Sequence, residues 1–152
     1  VKEGHRALDA LYRQSVHFET SRIYPGIPEY FNSRGKGMYH YLTGAASWYM
    51  LTVITEMFGA KGCAGNLLER QQFDLDGRAE LFFSFAGQSL HLVYENKEHK
   101  EYGAYRPGTI RIDGELWDYS GGEKETRSVC IDRERLKQLD FDVTHEILVE
   151  LV

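Results

Sequence analysis

Cysteine is scarce in this chain of 152 residues, which has only Cys63 and Cys130. Two cysteines are too few for the disulfide framework of a small secreted protein. We expect two reduced, partly buried thiols, with a single disulfide between them as the alternative. The six histidines are scattered and form no Cys/His cluster with metal-ligand spacing, so we expect no metal site.

Basic charge is also scarce, since 18 Lys and Arg stand against 23 Asp and Glu and the formal net charge is −5. No basic block occurs anywhere along the chain. Nucleic acids and anionic membranes attract proteins through basic patches, so we expect neither as a partner.

Long apolar runs are missing, because none reaches the roughly 18 residues that a membrane-spanning helix needs. No secretory leader pattern is present either, and we expect a cytoplasmic protein. The first residue is Val1 rather than Met, and a helical pattern follows almost at once. We therefore expect the tail of something longer, or a processed form.

The stretch from Tyr41 to Trp48 is typical of a loop that ends at a helix start. Thr43 is the predicted N-cap, and the four residues after it, Gly44 to Ser47, are all small. Small side chains leave the backbone N–H groups of the first turn accessible at the positive end of the helix dipole. This helix start is therefore a candidate anion site.

The helix that follows is apolar on every side from Trp48 to Phe58. Such a pattern predicts a helix enclosed in a packed layer. Gly59 is the predicted stop, because glycine readily adopts the left-handed conformation that ends many helices.

A second, amphipathic helix is predicted from about Lys2 to Glu19. The following segment, residues 20–41, has no periodicity, and Pro25 and Pro28 exclude a helix there. A loop of this length in a domain is usually functional or disordered, and its aromatic residues argue against disorder. We interpret it as an ordered loop that lines a cleft beside Thr43. Its aromatic residues are Tyr24, Tyr30, Phe31, Tyr39 and Tyr41.

From residue 67 onward the apolar period becomes two, which predicts strands at 68–73, 79–85, 90–95, 109–112, 115–119, 127–131 and 146–151. Asp76-Gly77 and Asp113-Gly114 are two-residue hairpin signals. A short helix at 133–139 is predicted with Asp132 as its N-cap. Seven short strands with turns between them indicate an antiparallel β-sandwich.

The predicted fold class is thus α+β in two parts: a helical part at 1–60, with the loop at 20–42, and a β-sandwich at 61–152. Two helices and a loop cannot enclose a core of their own. The helical part therefore needs the sandwich, a second subunit or further helices of a longer chain. Exposed apolar surface of this kind also makes a homo-oligomer an expected state.

Two segments, Ile23 to Asn32 and Arg34 to Trp48, resemble the last catalytic-domain segment of the inverting β-glucoside phosphorylases, glycoside hydrolase family 94. The family includes cellobiose, cellodextrin and β-1,2-oligoglucan phosphorylases and the phosphorylase-like end of cyclic β-1,2-glucan synthases. Further similarity lies in Gln72-Phe73-Asp74, Phe85-Ala86-Gly87, Val93-Tyr94-Glu95-Asn96 and Tyr102-Gly103-Ala104-Tyr105.

The resemblance implies the last helices of an (α/α)6 barrel followed by an antiparallel β-sandwich. It also implies phosphorolysis of β-linked gluco-oligosaccharides to α-glucose 1-phosphate with inversion, with inorganic phosphate as a substrate and no cofactor. Phosphate attacks the anomeric carbon, and one Asp protonates the leaving oxygen.

Carried over to this sequence, the family's phosphate contacts fall on Thr43 and Gly44, and its sugar-site loop falls on Glu29, Tyr30 and Phe31. Arg34 and His40 lie near the implied phosphate region without an assigned role. Tyr24 stands near where cellobiose-type members carry Gln, which favours a cellodextrin or β-1,2-glucan preference.

The family's general acid lies upstream, and none of Asp9, Asp74, Asp76 or Asp113 sits in its motif, so this chain is expected to contain no catalytic residue. The chain would then be inactive alone and would work with the rest of a parent chain. The alternative is a non-catalytic β-sandwich module, structural or carbohydrate-binding.

Overall fold

A computed structural model describes residues 2–39, 44–63, 66–69, 77–101, 103–117 and 129–152. The chain divides into two compact units, Val1–Val53 and Ile54–Val152. Helices and one short hairpin of strands β1, Tyr30–Phe31, and β2, Gly37–Met38, make up the described part of the first unit. The second unit is mainly β, so the α+β class is confirmed. The sequence predicted a division after residue 60, beyond the end of the last helical segment. The boundary between the two units lies within that segment, after Val53. Membership of an (α/α)6 barrel stays a prediction.

The first unit opens with helix α1, Lys2–Val16, and the single turn α2, Phe18–Ser21. The one helix predicted to reach Glu19 is interrupted at His17, whose ψ of 66° is not helical. Two serines hold this corner: Ser15 Oγ donates to the Leu11 carbonyl at 2.8 Å, and Ser21 Oγ donates to the Ser15 carbonyl at 3.0 Å. Ser15 and Ser21 are both buried there, so their hydroxyls need these acceptors.

Helix α3, Ala45–Thr52, continues into a π-helical turn, Val53–Met57. The predicted stop is confirmed, because Gly59 has a φ of 75° and the Ala60 N–H donates to the Ile54 carbonyl at 3.0 Å. Together these features form the hydrogen-bonding pattern of a glycine-terminated helix.

The prediction that this apolar helix is enclosed is wrong for the part of the chain that the structure describes. No residue of α3 is buried, and Trp48 is 69% exposed. Within its unit, α3 is tied to α1 by the Tyr49 hydroxyl, which donates to the Leu8 carbonyl at 3.3 Å. One neighbouring helix of this length covers only one side of α3, and its other apolar side chains face outward.

The second unit contains two sheets, with strands β3, Lys61–Cys63, β4, Asn66–Glu69, and β9, Val129–Ile131, in the smaller one. The larger sheet has the order β5, Gly77–Phe85; β6, Gln88–Asn96; β10, Thr144–Leu151; β7, Pro107–Ile112; and β8, Glu115–Leu116. Both sheets contribute side chains to one buried cluster, with Leu67 and Ile131 from the smaller sheet and Leu92 and Ile147 from the larger. The β part is therefore sandwich-like.

The larger sheet is mixed rather than purely antiparallel, which corrects the sequence prediction. Strand β10 runs parallel to β6, with His145 opposite Leu90, and antiparallel to β7, with Ile147 opposite Ile112. A parallel pair needs a long crossover. The described part of that crossover contains helix α4, Arg133–Lys137. Asp132 is its N-cap, as predicted, because the Asp132 side chain accepts from the Arg135 N–H at 2.7 Å.

Of the two predicted hairpins, the one at Asp113-Gly114 is confirmed. Its residues have φ values of 51° and 82°, and the turn joins the antiparallel pair β7 and β8. The hairpin signal at Asp76-Gly77 lies partly outside the described residues, since Asp76 is not among them, and Gly77 begins β5. Cys130, in β9, is a free and exposed thiol rather than the partly buried one expected.

The confirmed turn is fastened to β10 by a buried histidine. His145 Nδ1 lies 2.6 Å from Asp113 Oδ2, and its Nε2 lies 2.8 Å from the Asp140 carbonyl oxygen. An ionised carboxylate and a carbonyl oxygen can only accept, so both ring nitrogens are satisfied when the ring is protonated. Burial by itself lowers the pKa of His145, but the hydrogen bonds to Asp113 and Asp140 outweigh it and raise this pKa above its ordinary value of 6.5.

We predict that unfolding free energy falls as pH rises through the raised pKa of His145. A group whose pKa is higher in the folded state stabilises the fold below its unfolded pKa and loses that contribution as it deprotonates. Chemical denaturation from about pH 5 to 9 should show this decline for the native chain. Asp113→Asn keeps a side chain that tolerates positive φ but removes the charge, and it should flatten the profile. Asp9→Asn, at an exposed ion pair, serves as the control. An unchanged slope in Asp113→Asn would contradict the assignment.

Candidate functional site

The loop predicted to border a sugar site forms a hairpin in the first unit. Strands β1, Tyr30–Phe31, and β2, Gly37–Met38, pair antiparallel. Asn32 closes the turn between them: its Oδ1 accepts from the N–H groups of Arg34 at 2.9 Å and Lys36 at 3.1 Å, and its own N–H donates to the Lys36 carbonyl at 2.9 Å. An asparagine side chain that bonds nearby backbone in this way fixes a turn without any core around it.

Two contacts fasten this hairpin to the rest of its unit. Gln14, on α1, donates from Nε2 to the Gly35 carbonyl at 3.0 Å. Gly37 lies so close to Ile23 that a Cβ placed on it would be 2.9 Å from Ile23 Cγ1 and 3.1 Å from Pro28 Cβ. Since Ile23 is only 2% exposed, the hairpin is packed on a buried side chain at this point. These contacts hold in place the residues that the hairpin presents.

Of the predicted sugar-binding residues, the structure places Glu29 just before β1 and Tyr30 and Phe31 within it. Glu29 is exposed, and its backbone N–H donates to the Met38 carbonyl at 3.2 Å. Within the described ranges no side chain hydrogen-bonds to the Glu29 carboxylate. Tyr30 is 48% exposed and Phe31 is half-buried, as expected for successive residues that point to opposite faces of a strand. Glu29 and Tyr30 are thus presented outward.

Tyr39, which the sequence placed in the cleft-lining loop but not among the sugar-binding residues, lies beside Tyr30. The two ring centroids are 5.9 Å apart and the ring planes are tilted by 42°. Tyr39 directly follows β2, has a φ of 54° and is 63% exposed. The sequence shows Tyr39 as one of several aromatics in the loop, but only the β1–β2 pairing brings it next to Tyr30.

The helix at the predicted anion site begins one residue later than expected. Gly44 occupies the N-cap position of α3, and its carbonyl accepts from the Trp48 N–H at 2.8 Å. Thr43, the predicted N-cap, lies outside the described residues, as does His40. A shift of one residue is the usual uncertainty of a helix boundary read from sequence.

The first turn of α3 contains only small side chains before Trp48. Gly44 and Ser47 are exposed, and Ala45 and Ala46 are half-buried. The indole of Trp48 stands next to it, since a Cβ on Gly44 would lie 3.2 Å from Trp48 Cδ1 and 3.4 Å from Nε1. Indole Nε1–H is a donor only, so this ring adds a hydrogen-bond donor beside the donors of the helix start.

Two of the four aspartates that were compared with the family's general acid lie among the described residues. Asp9 pairs with Arg13 at 2.7 Å on the surface of α1, and Asp113 is bound to His145. Asp74 and Asp76 lie outside the described residues. In the described ranges, no group of three His, Cys, Asp or Glu side chains could hold a metal ion, and no helix is long and apolar enough to cross a membrane.

Comparison with known proteins gives no family for the chain. No family model matches the sequence, and no curated protein matches it at a significant level. The resemblance to the β-glucoside phosphorylases therefore depends on the motifs themselves.

We predict that Gly37→Ala destabilises the hairpin by about 1–3 kcal/mol, because a methyl group there must displace the buried Ile23. Thermal unfolding and hydrogen exchange of the amides of residues 29–38 would measure the effect. Gly4→Ala is the matched control, since nothing lies within 4 Å of a Cβ on Gly4 and alanine favours a helix. Equal stability of the two variants would show that the hairpin does not depend on this contact.

Proposed function

We propose that this chain forms the C-terminal part of an inverting glycoside phosphorylase that acts on β-linked gluco-oligosaccharides. A phosphate oxygen bonds to the anomeric carbon, the glycosidic C–O bond breaks, and an acid outside this chain gives its proton to the leaving oxygen. The product is α-glucose 1-phosphate, and no cofactor takes part. In this proposal the chain binds phosphate through Thr43 and Gly44, and sugar through Glu29, Tyr30 and Phe31.

The observation that carries the proposal is the exposed glycine at the start of α3. Gly44 at the N-cap has no side chain to cover the first turn, and the Trp48 indole N–H stands beside it. An anion at this position would meet backbone N–H groups, the positive end of the helix dipole and an indole donor together. Phosphate fits because its several oxygens can accept from all of these donors at once.

The hairpin supports the sugar-binding half of the proposal. It belongs to the same compact unit as α3 and presents Glu29 and Tyr30 to solvent. A carboxylate accepts hydrogen bonds from hydroxyl groups, and an aromatic ring packs on the C–H face of a pyranose. A gluco-oligosaccharide offers both kinds of surface.

We predict that Thr43→Ala in the intact enzyme raises the phosphate KM by about 10- to 150-fold, equivalent to about 1.5–3 kcal/mol for one hydrogen bond to a charged group. The oligosaccharide KM should change much less. Thr52→Ala is the control, because the Thr52 hydroxyl sits on the same helix but donates to the Trp48 carbonyl at 2.8 Å. An unchanged phosphate dependence in Thr43→Ala would exclude this anion site.

We also predict that the 152-residue chain alone releases no phosphate from glucose 1-phosphate with glucose or cellobiose as acceptor. The reason is that the proposal places the general acid elsewhere in the parent protein. A coupled phosphate assay at high protein concentration is sufficient. Turnover that is lost with an Asp→Asn change in this chain would show that the acid lies within it.

A second candidate function is a non-catalytic β-sandwich module, structural or carbohydrate-binding. It is favoured by Phe82, which is 67% exposed on β5 and stacks on His91 with centroids 4.0 Å apart and planes 3° from parallel. His91 Nε2 lies 2.8 Å from Glu80 Oε2, and this hydrogen bond lowers the pKa of Glu80. Sugar binding that is lost in Phe82→Ala, and kept in variants of the hairpin, would favour the module over the phosphorylase.

A further inference from the structure

We propose that Tyr30 and Tyr39 form one aromatic platform that stacks on a pyranose ring of a β-gluco-oligosaccharide. This inference rests on the proposed function and adds Tyr39 as a sugar-contacting residue. The inference is based on two exposed rings that lie side by side on a hairpin, and this hairpin is held in place by its contacts with α1 and with Ile23.

The contact between the two rings does not explain why both of them are so exposed to solvent. Their centroids are 5.9 Å apart, within the range of aromatic pairs, yet Tyr30 is 48% exposed and Tyr39 is 63% exposed. Two tyrosines that served only to stabilise the fold would bury more of their apolar surface. In the described ranges, neither phenol makes a hydrogen bond. The pair therefore offers both apolar ring surface and polar rims to a ligand.

The backbone at Tyr39 supports a role other than stability. Its φ of 54° is unfavourable for a bulky L-residue, and the ring gains little burial in return. Met38, the residue before it, is held by pairing with Tyr30 and by accepting from the Glu29 N–H. Strained backbone that the surrounding structure enforces is often found where a side chain must be aimed at a ligand.

The chemistry of the pair fits a neutral sugar better than other ligands. The C–H bonds of one pyranose face are attracted to the negative faces of aromatic rings. Hydroxyls at the sugar rim can bond to the two phenols and to the Glu29 carboxylate, which precedes Tyr30 directly in the sequence. An anion is disfavoured by Glu29. A β-1,4-linked chain is the expected form, because its extended shape presents successive flat rings.

The test is a calorimetric titration of the full 152-residue chain with cellotetraose. Tyr39→Asn removes the ring and keeps a residue that tolerates positive φ, and it should weaken binding about fivefold or more. Tyr39→Phe retains the stacking surface and should stay within about twofold of the native chain. Tyr12→Ala removes a tyrosine that is 53% exposed on α1, and it should bind cellotetraose as the native chain does.

The outcomes separate this inference from the proposed function. Native binding that is unchanged in Tyr39→Asn overturns the platform and leaves the phosphorylase proposal in place. Absence of cellotetraose binding by the native chain also overturns the platform, whereas the phosphate site is judged separately by Thr43→Ala. If sedimentation shows a dimer that Tyr39→Asn dissociates, the occupant of the platform is a second copy of the chain and the sugar assignment is wrong.

Discussion

The second unit depends on the insertion of β10 between β6 and β7. Ile147, Val149 and Leu151 on this strand are all buried, and its backbone is paired on both sides. Without β10, the hairpins β5–β6 and β7–β8 would have no shared sheet, and isolated two-stranded hairpins are marginal in water. The hydrogen bond between His145 and Asp113 fastens the start of β10 to the turn between β7 and β8, and it depends on the charges of the two side chains.

The first unit is held together in a different way, by hydrogen bonds from side chains to backbone rather than by a core. Ile23 is the only large apolar side chain that is buried among the described residues of this unit, and Pro28 is buried beside it. Gln14, Asn32 and Ser21 each satisfy carbonyl or N–H groups of neighbouring segments. A unit of this kind leaves many aromatic side chains exposed, and regions with few buried contacts are where ligand-binding segments are usually found.

Local signals in the sequence predicted local structure well, as the cap at Asp132, the helix stop at Gly59 and the turn at Asp113-Gly114 show. Long-range pairing was not predictable, because the parallel partner of β10 is far away in sequence. The turn that joins β5 to β6 was also missed. It is formed by Ala86, with a φ of 52° that alanine rarely adopts, and Gly87, with a φ of 87°. Burial of α3 was predicted wrongly because an apolar sequence does not show what covers it.

For the candidate site, sequence could point to Glu29, Tyr30 and Phe31 but could not place Tyr39 beside Tyr30, since strand register decides that contact. The roles of all five predicted residues stay predictions.

The position of β10 also bears on how the chain reaches its fold. Its partners in the parallel pair are remote in sequence, so that Leu90 and His145 lie 55 positions apart. Non-local pairings of this kind slow folding, because the intervening chain must be ordered before the contacts form. During synthesis, β5 and β6 emerge well before the strand that completes their sheet. Until then, the edge of β6 that pairs with β10 has no partner strand, and this interval is when the nascent chain is most exposed to association with other chains.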